Sequence, residues 1–415
     1  KTPAFYRAQQ FHERFHRQDV IEVLLRERDV AETLTKAARV SLEPPNFGVF
    51  DSVRVRIKPR DQRVKDKNLE VVLDIESRIQ HADYVPVRAE LWVNDRRLHD
   101  WQLDGQTWHR ECIIKREQLR AGENDLTLQC YNKVEGRGEG WLEASARVVC
   151  DRLPKLPKLH GLAVGLNDYS RSARENGEPL LRDLLTPRAD AKAMRDAWLA
   201  QKDLLYSDVQ IDLLPEGEEP VGRETILKYL DRLAARAGPD DRVFLFLAGH
   251  GETLPQGNRK QFVFCCPDFD QKRLDKTSIS ARELYQALAK IPGQKVVFLD
   301  ACRSGHVAGQ PARDLTPGGL GPIILAACDR GESSYEIQGA PHAVFATAIL
   351  EAMGERFARA DQNGDSRLDA RELYDYAARR VPELLQKAGV VQTPARSPAQ
   401  LARYPLLAGK LPAEK

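Results

Sequence analysis

The sequence has no surplus of either charge: 63 Lys and Arg stand against 61 Asp and Glu, a formal net charge of +2. No global field therefore draws the chain toward nucleic acid or an anionic membrane. It also lacks any apolar run near the roughly 18 residues that cross a bilayer, and it lacks a signal-peptide pattern. The expectation is a cytoplasmic protein with no membrane or nucleic-acid partner. Its seven cysteines, an odd number without regular spacing, make no disulfide framework and read as reduced thiols. No Cys/His spacing fits a zinc site. At 415 residues the chain exceeds one ordinary core, and two domains with a small appendage are expected.

Residues 1–45 place Val20, Val23, Leu24, Val30 and Leu34 at helical spacing and stop at Pro44-Pro45. Because this helical pattern starts at Lys1, the chain is expected to have been cut from something longer. Over 46–150 the period changes to two, in Val53–Ile57, Leu69–Ile75, Ala89–Val93 and Asp125–Cys130, with turn signals at Asn94-Asp95, Asp104-Gly105, Gly122–Asn124 and Gly136–Gly140. This spacing predicts antiparallel strands in an all-β, immunoglobulin-like sandwich. Trp92, Trp101, Trp108 and Trp141 read as core and rim packing, and His81, His99 and His109 are scattered. Residues 151–159 form a stiff connector, since Pro154 and Pro157 forbid helix and donate no ladder bond.

From 160 to 410 strands and helices alternate, the signature of an α/β domain with a mostly parallel central sheet flanked by helices. The spacing predicts strands at 160–166, 209–214, 242–248, 295–299 and 322–327, and helices at 187–199, 223–237, 281–290 and 343–357. Val243–Leu247 and Val296–Leu299 are apolar at every residue, as strands buried on both faces are. Reactive groups in such sheets gather at the carboxyl ends of the strands. There the sequence reads Gly249-His250-Gly251 and Asp300-Ala301-Cys302-Arg303-Ser304-Gly305.

A thiol needs a neighbouring imidazole to act as a nucleophile near neutral pH, and adjacent strand ends supply one. An Ala-Cys-Arg phrase with a histidine about fifty positions upstream resembles the caspase signature. The longer phrase, Asp-x-Cys-x-Ser-Gly, is similar to metacaspases and bacterial caspase homologues, peptidase C14-type, and the resemblance covers about 160–405. It implies a large-subunit part at 160–305, a linker at 306–321 and a small-subunit part at 322–410. It further implies Cys302 as nucleophile, His250 as base, the amides of Gly251 and Cys302 as oxyanion hole, and an S1 pocket carrying Asp300 and Asp190. Acidic residues at the base of a pocket favour Arg or Lys, so cleavage after basic residues of protein or peptide substrates is expected. Ala248 stands where metacaspases often have a serine. Cys265, Cys266 and Cys328 lie in apolar stretches and read as core. His342, ahead of the Ala343 helix, reads as a residue of the helix start.

No cofactor is required for this chemistry. The Gly/Pro-rich linker is either a mobile loop or a self-cleavage segment with Arg313 as the site; a separate possibility is a zymogen, inactive until another protease cuts the 306–320 loop, and an upstream activating protease or sensor domain is the expected partner. Asp361, Asn363, Asp365, Arg367 and Glu372 stand at calcium-loop spacing, with Ser366 where the sharp turn wants glycine. The alternative is a polar turn leading into a helix capped by Asp369. The pairing of sandwich and caspase-like domain resembles bacterial multidomain proteins and implies a regulated protease in stress or antiviral defence. The other class is an inactive caspase-like scaffold or adaptor.

Overall fold

The computed structural model describes residues 53–77, 85–94, 96–134, 138–151, 156–172, 180–217, 221–256, 259–305, 307, 322–329, 331–397 and 405–409. The segment 1–45, residues 152–155 of the connector and Arg313 lie outside the described residues.

The N-terminal part is two β-sheets. Strands β1 (Val53–Pro59), β3 (Leu69–Ser77) and β6 (Thr107–Ile114) make one, in the order β1-β3-β6. The other runs β2-β8-β7-β4-β5, with β2 at Arg63–Val64, β4 at Pro86–Val93, β5 at Arg96–Gln102, β7 at Gly122–Val134 and β8 at Gly138–Cys150. Alternation decides the packing. Leu69, Val71, Leu73 and Ile75 of one sheet and Ala89, Leu91, Val93, Leu126 and Leu128 of the other turn to a single shared core. The expected strands are all present. The sandwich divides three plus five, with β2 parallel to β8, a division unlike the four-plus-three of immunoglobulin constant domains. The glycines at 122 and 138 open strands instead of forming turns. The bend falls just before Gly122, where the Asn124 side chain accepts the Arg120 amide and donates to the Arg120 carbonyl.

The second part is a six-stranded sheet in the order β10-β9-β11-β15-β16-β18, the first five parallel and the last antiparallel. Its strands are β9 (Lys158–Gly165), β10 (Asp208–Leu214), β11 (Arg242–Ala248), β15 (Gln294–Asp300), β16 (Ile323–Ala326) and β18 (Ala395–Ser397). Helices α1 (Pro187–Leu199), α4 (Val344–Met353) and α5 (Ala370–Leu385) cover one face; α2 (Arg223–Arg236) and α3 (Ala281–Lys290) cover the other. Strand β11 shows why its sequence is apolar throughout: Phe244 and Phe246 enter the α1/α4 core, while Val243, Leu245 and Leu247 enter the α2/α3 core. Helices α3 and α5 each start at a reciprocal cap, Ser280 with Glu283 and Asp369 with Glu372. Sequence periodicity missed a three-stranded antiparallel sheet of β12 (Gly251–Gln256), β13 (Arg259–Cys265) and β14 (Ser278–Ser280). It also joined into one helix what is broken after Met353 at Gly354.

Strand β9 is flanked by β10 and β11, so the chain first winds to one side of it and then to the other. The crevice beyond the carboxyl ends at this reversal is where ligands of open α/β sheets bind. All seven cysteines are free thiols. No helix among the described residues is long and apolar enough to cross a membrane.

Candidate active site

The register between β11 and β15 sets the site. Ala248 pairs with Asp300 at the last rung, and the Gly249 amide donates to the Asp300 carbonyl at 3.2 Å. His250 and Cys302 each lie two residues past that rung, so both leave the sheet at the same level. Together with Leu180, Leu181, Arg182, Glu252, Arg303 and Ser333 they line one open cleft of about 610 Å³.

Three contacts hold His250. Its backbone N–H donates to the Tyr169 hydroxyl at 2.9 Å, and that hydroxyl donates to the Cys265 carbonyl at 3.2 Å. The Tyr169 ring meets the imidazole edge-on, centroids 4.6 Å apart. A Cβ on Gly249 would lie 2.6 Å from the Tyr169 oxygen, so only glycine lets the tyrosine in. The third contact is Nε2 to the Arg182 carbonyl, 2.8 Å. A carbonyl only accepts, so Nε2 carries a proton and Nδ1 is the nitrogen left to take one. Burial, the largest influence, lowers the imidazole pKa, against the opposing pull of the Arg182 carbonyl. The ring is thus kept neutral and able to act as a base near pH 7.

The Arg182 carbonyl is itself fixed. Glu336 accepts the amides of Leu185 and Thr186 at 3.0 and 2.7 Å and the Thr186 hydroxyl at 2.9 Å, and Asp183 accepts the Tyr169 amide at 2.7 Å. Sequence reasoning missed Tyr169, Arg182, Glu336 and Ser334 as site residues. Ser334 and Glu336 lie in a Ser-Ser-Tyr-Glu stretch that resembles the family's small-subunit half but assigns them no role; long-range contacts give all four their places.

Cys302 is partly buried, with Sγ 3.9 Å from the Ser334 carbonyl. Gly251 abuts it: a Cβ there would stand 2.4 Å from the Cys302 carbonyl oxygen and 2.6 Å from the Phe262 ring. Cys265, Cys266 and Cys328 are fully buried in the core, as expected.

Asp300 and Asp190, expected to carry the S1 pocket, are both buried, and neither is among the residues that line the cleft. Asp300 Oδ1 accepts the Ser334 hydroxyl at 2.6 Å, whereas Oδ2 is buried without a hydrogen bond. Burial first and the nearby Asp190 second push its pKa up to about 7, the Ser334 bond opposing. Asp190 differs from expectation in being engaged: its Oδ1 lies 2.7 Å from His342 Nδ1, and its Oδ2 accepts the Ala343 amide at 3.3 Å. His342, besides standing at the start of α4, is the partner of this buried carboxylate.

The 361–372 loop leads into α5. Asp361 accepts the amides of Gly364 and Ser366, Asp365 that of Arg367, and Glu372 those of Gln362, Asn363 and Asp369. Ser366 takes the left-handed conformation, φ +60°, that its place in the loop demands. Among the described residues no three His, Cys, Asp or Glu side chains converge as a metal site.

Gly251→Ala forces either the Cys302 carbonyl or the β12 backbone to move. The variant is expected to melt several degrees below wild type, since overpacking a filled site costs about 1–3 kcal/mol; an unchanged melting temperature would mean that the close approach of Gly251 to Cys302 is not required.

A family model for the caspase domain matches residues 161–404, more than half of the chain. A search of the curated proteins finds no match. Among solved structures, a protein of Geobacter sulfurreducens aligns at 19% identity over 61% of this chain and 100% of its own, with a TM-score of 0.41. A family two carbohydrate esterase of Clostridium thermocellum aligns at 10% identity over 75% of this chain and 99% of its own, with a TM-score of 0.21. Likenesses this distant carry no argument about activity. The family match spans the parallel sheet and both strand ends that carry His250 and Cys302, and on it the chain belongs to the caspase-domain family, peptidase C14.

Proposed function

We propose that the chain is a cysteine endopeptidase that cleaves proteins after Arg or Lys with Cys302 and His250. The observation that carries the reading is the β11/β15 register, which brings an oriented imidazole and a partly exposed thiol to the same level of one cleft.

In the proposed reaction, Nδ1 of His250 takes the Sγ proton, and the thiolate attacks the scissile carbonyl carbon. The tetrahedral oxyanion accepts hydrogen bonds from the Gly251 and Cys302 amides. Collapse breaks the C–N bond, and His250 returns its proton to the leaving amine. Water, losing a proton to the same imidazole, then adds to the thioester. Expulsion of the thiolate releases the acid.

Asp300 supports basic specificity, because a buried carboxylate oxygen without a partner is unfavourable until a cation reaches it. Its raised pKa fixes the sign of the pH effect. Below about 7 the carboxyl is protonated and neutral; above it the pocket gains its charge. In stability the same shift acts in reverse, because a carboxyl whose folded pKa exceeds its unfolded value loses its stabilising contribution as pH rises through 7.

Fluorogenic peptides ending in Arg or Lys are expected to be hydrolysed by wild type and not by Cys302→Ala, with KM falling as pH rises from 6 to 8. Asp300→Asn is expected to remove that pH dependence, raise KM about tenfold or more, and melt higher at pH 8. Preference for Asp peptides would overturn the pocket assignment, and hydrolysis by Cys302→Ala would overturn the nucleophile.

Calcium belongs to the proposal only as a structural ion of the 361–372 loop, held by Asp361, Asn363, Asp365, the Arg367 carbonyl and Glu372. Saturating calcium is expected to raise the melting temperature, since a ligand at 100 times its Kd stabilises by about 2.7 kcal/mol. Glu372→Gln is expected to abolish the rise. Identical melts in calcium and chelator would end calcium's part.

A further inference from the structure

Arg303 directly follows the nucleophile and has no part in the reaction above. It is one of four non-glycine residues with positive φ among the described residues, at +59°. The left-handed conformation costs an L-residue roughly 1–2 kcal/mol. Asn and Asp offset that with local side-chain bonds; arginine has no such local bond. Something beyond the turn must hold it there.

Three bonds do. The Arg303 amide donates to the Glu332 carbonyl at 2.9 Å. Its guanidinium Nη1 donates to Glu252 Oε2 at 2.8 Å and to Thr253 Oγ1 at 3.2 Å. Glu252 and Thr253 are the first and second residues after Gly251 on β12. Strand β12 pairs with β13 and not with β15, so no sheet ladder ties it to the turn that carries Cys302. The guanidinium is thus a direct tie between the turn that carries one oxyanion amide and the strand that begins with the other. Both partners are partly exposed, with 41% and 29% of their side chains accessible, so the ion pair adds little to global stability. Its effect is on geometry.

We infer that Arg303 is a positioning residue: through Glu252 and Thr253 it fixes the spacing between the Cys302 and Gly251 amides that receive the oxyanion. The inference rests on the cysteine-peptidase reading. Displacement of about 1 Å in such a constellation is enough to cost ~100-fold in rate.

The test uses two reactions of the same thiol. Peptide hydrolysis builds a tetrahedral oxyanion; alkylation by iodoacetamide displaces iodide from a saturated carbon and builds none, while it still needs the thiolate. Wild-type hydrolysis, lost in Cys302→Ala, first establishes the peptidase. Arg303→Gly then removes the guanidinium but keeps the left-handed backbone accessible, and Glu252→Gln removes the opposite charge. Both are expected to lower kcat ~10- to 100-fold with KM within about twofold, and to alkylate Cys302 at the wild-type rate at about pH 9, where the thiol ionises without help from His250 and the Glu252 charge upon that imidazole no longer matters. Arg303→Lys, which retains the charge, is expected to recover most of kcat. An equal fall in hydrolysis and alkylation would place the effect on the thiol or the fold, a change in KM alone would make Arg303 a substrate contact, and unaltered kinetics would leave it without a role. Each of these overturns the inference. A wild type that hydrolyses no peptide overturns the peptidase reading and this inference with it.

Discussion

The parallel pairing of β11 with β15 is the constraint on which the rest depends. With Ala248 opposite Asp300, two strand ends leave the sheet together, and the residues two steps beyond that rung line the same cleft. A slip of one residue would misplace His250 relative to Cys302 and turn every side chain of β11 to the opposite core. The large aromatic residues prevent it. Trp198 of α1 packs on Phe244 at 4.8 Å between centroids, and Phe244 on Phe298 of β15 at 5.8 Å. The core that stabilises the sheet is therefore the device that brings His250 and Cys302 to one level.

Around this alignment the site is assembled from loops that different parts of the chain pin down. Glu336 lies far along the chain from the turn it holds, and Tyr169 reaches His250 from the end of β9. Buried charge is the cost of the arrangement. Asp300 keeps one oxygen without a hydrogen bond, and Asp190 is accommodated by His342 and the Ala343 amide. A carboxyl pushed up to about 7 works against the folded state at alkaline pH, and such a group is tolerated where a ligand can satisfy it.

Much of this was legible in the sequence for a physical reason. Strands buried on both faces must be apolar throughout, so Val243–Leu247 and Val296–Leu299 announced themselves, and the two cleft residues His250 and Cys302 follow their ends. The limits of α1 and α3 were legible too, from Pro187 and from the Ser280 cap. The β12–β14 sheet was not, being short and mixed in polarity. Nor was the engagement of Asp190, which joins a residue of α1 to one just ahead of α4 with no local signal. The left-handed Ser366 was visible from loop spacing, but the left-handed Arg303 was not, because tertiary bonds and no turn motif hold it.

The central claim is that His250 activates Cys302. The rate of Cys302 alkylation by iodoacetamide, measured from pH 5.5 to 9 in wild type and His250→Ala and localised by mass spectrometry, tests it most directly. The account predicts that at pH 6.5 wild type reacts at least ~10-fold faster and that the two rates converge toward pH 9, where an ordinary thiol ionises unaided. Superimposable curves would contradict it.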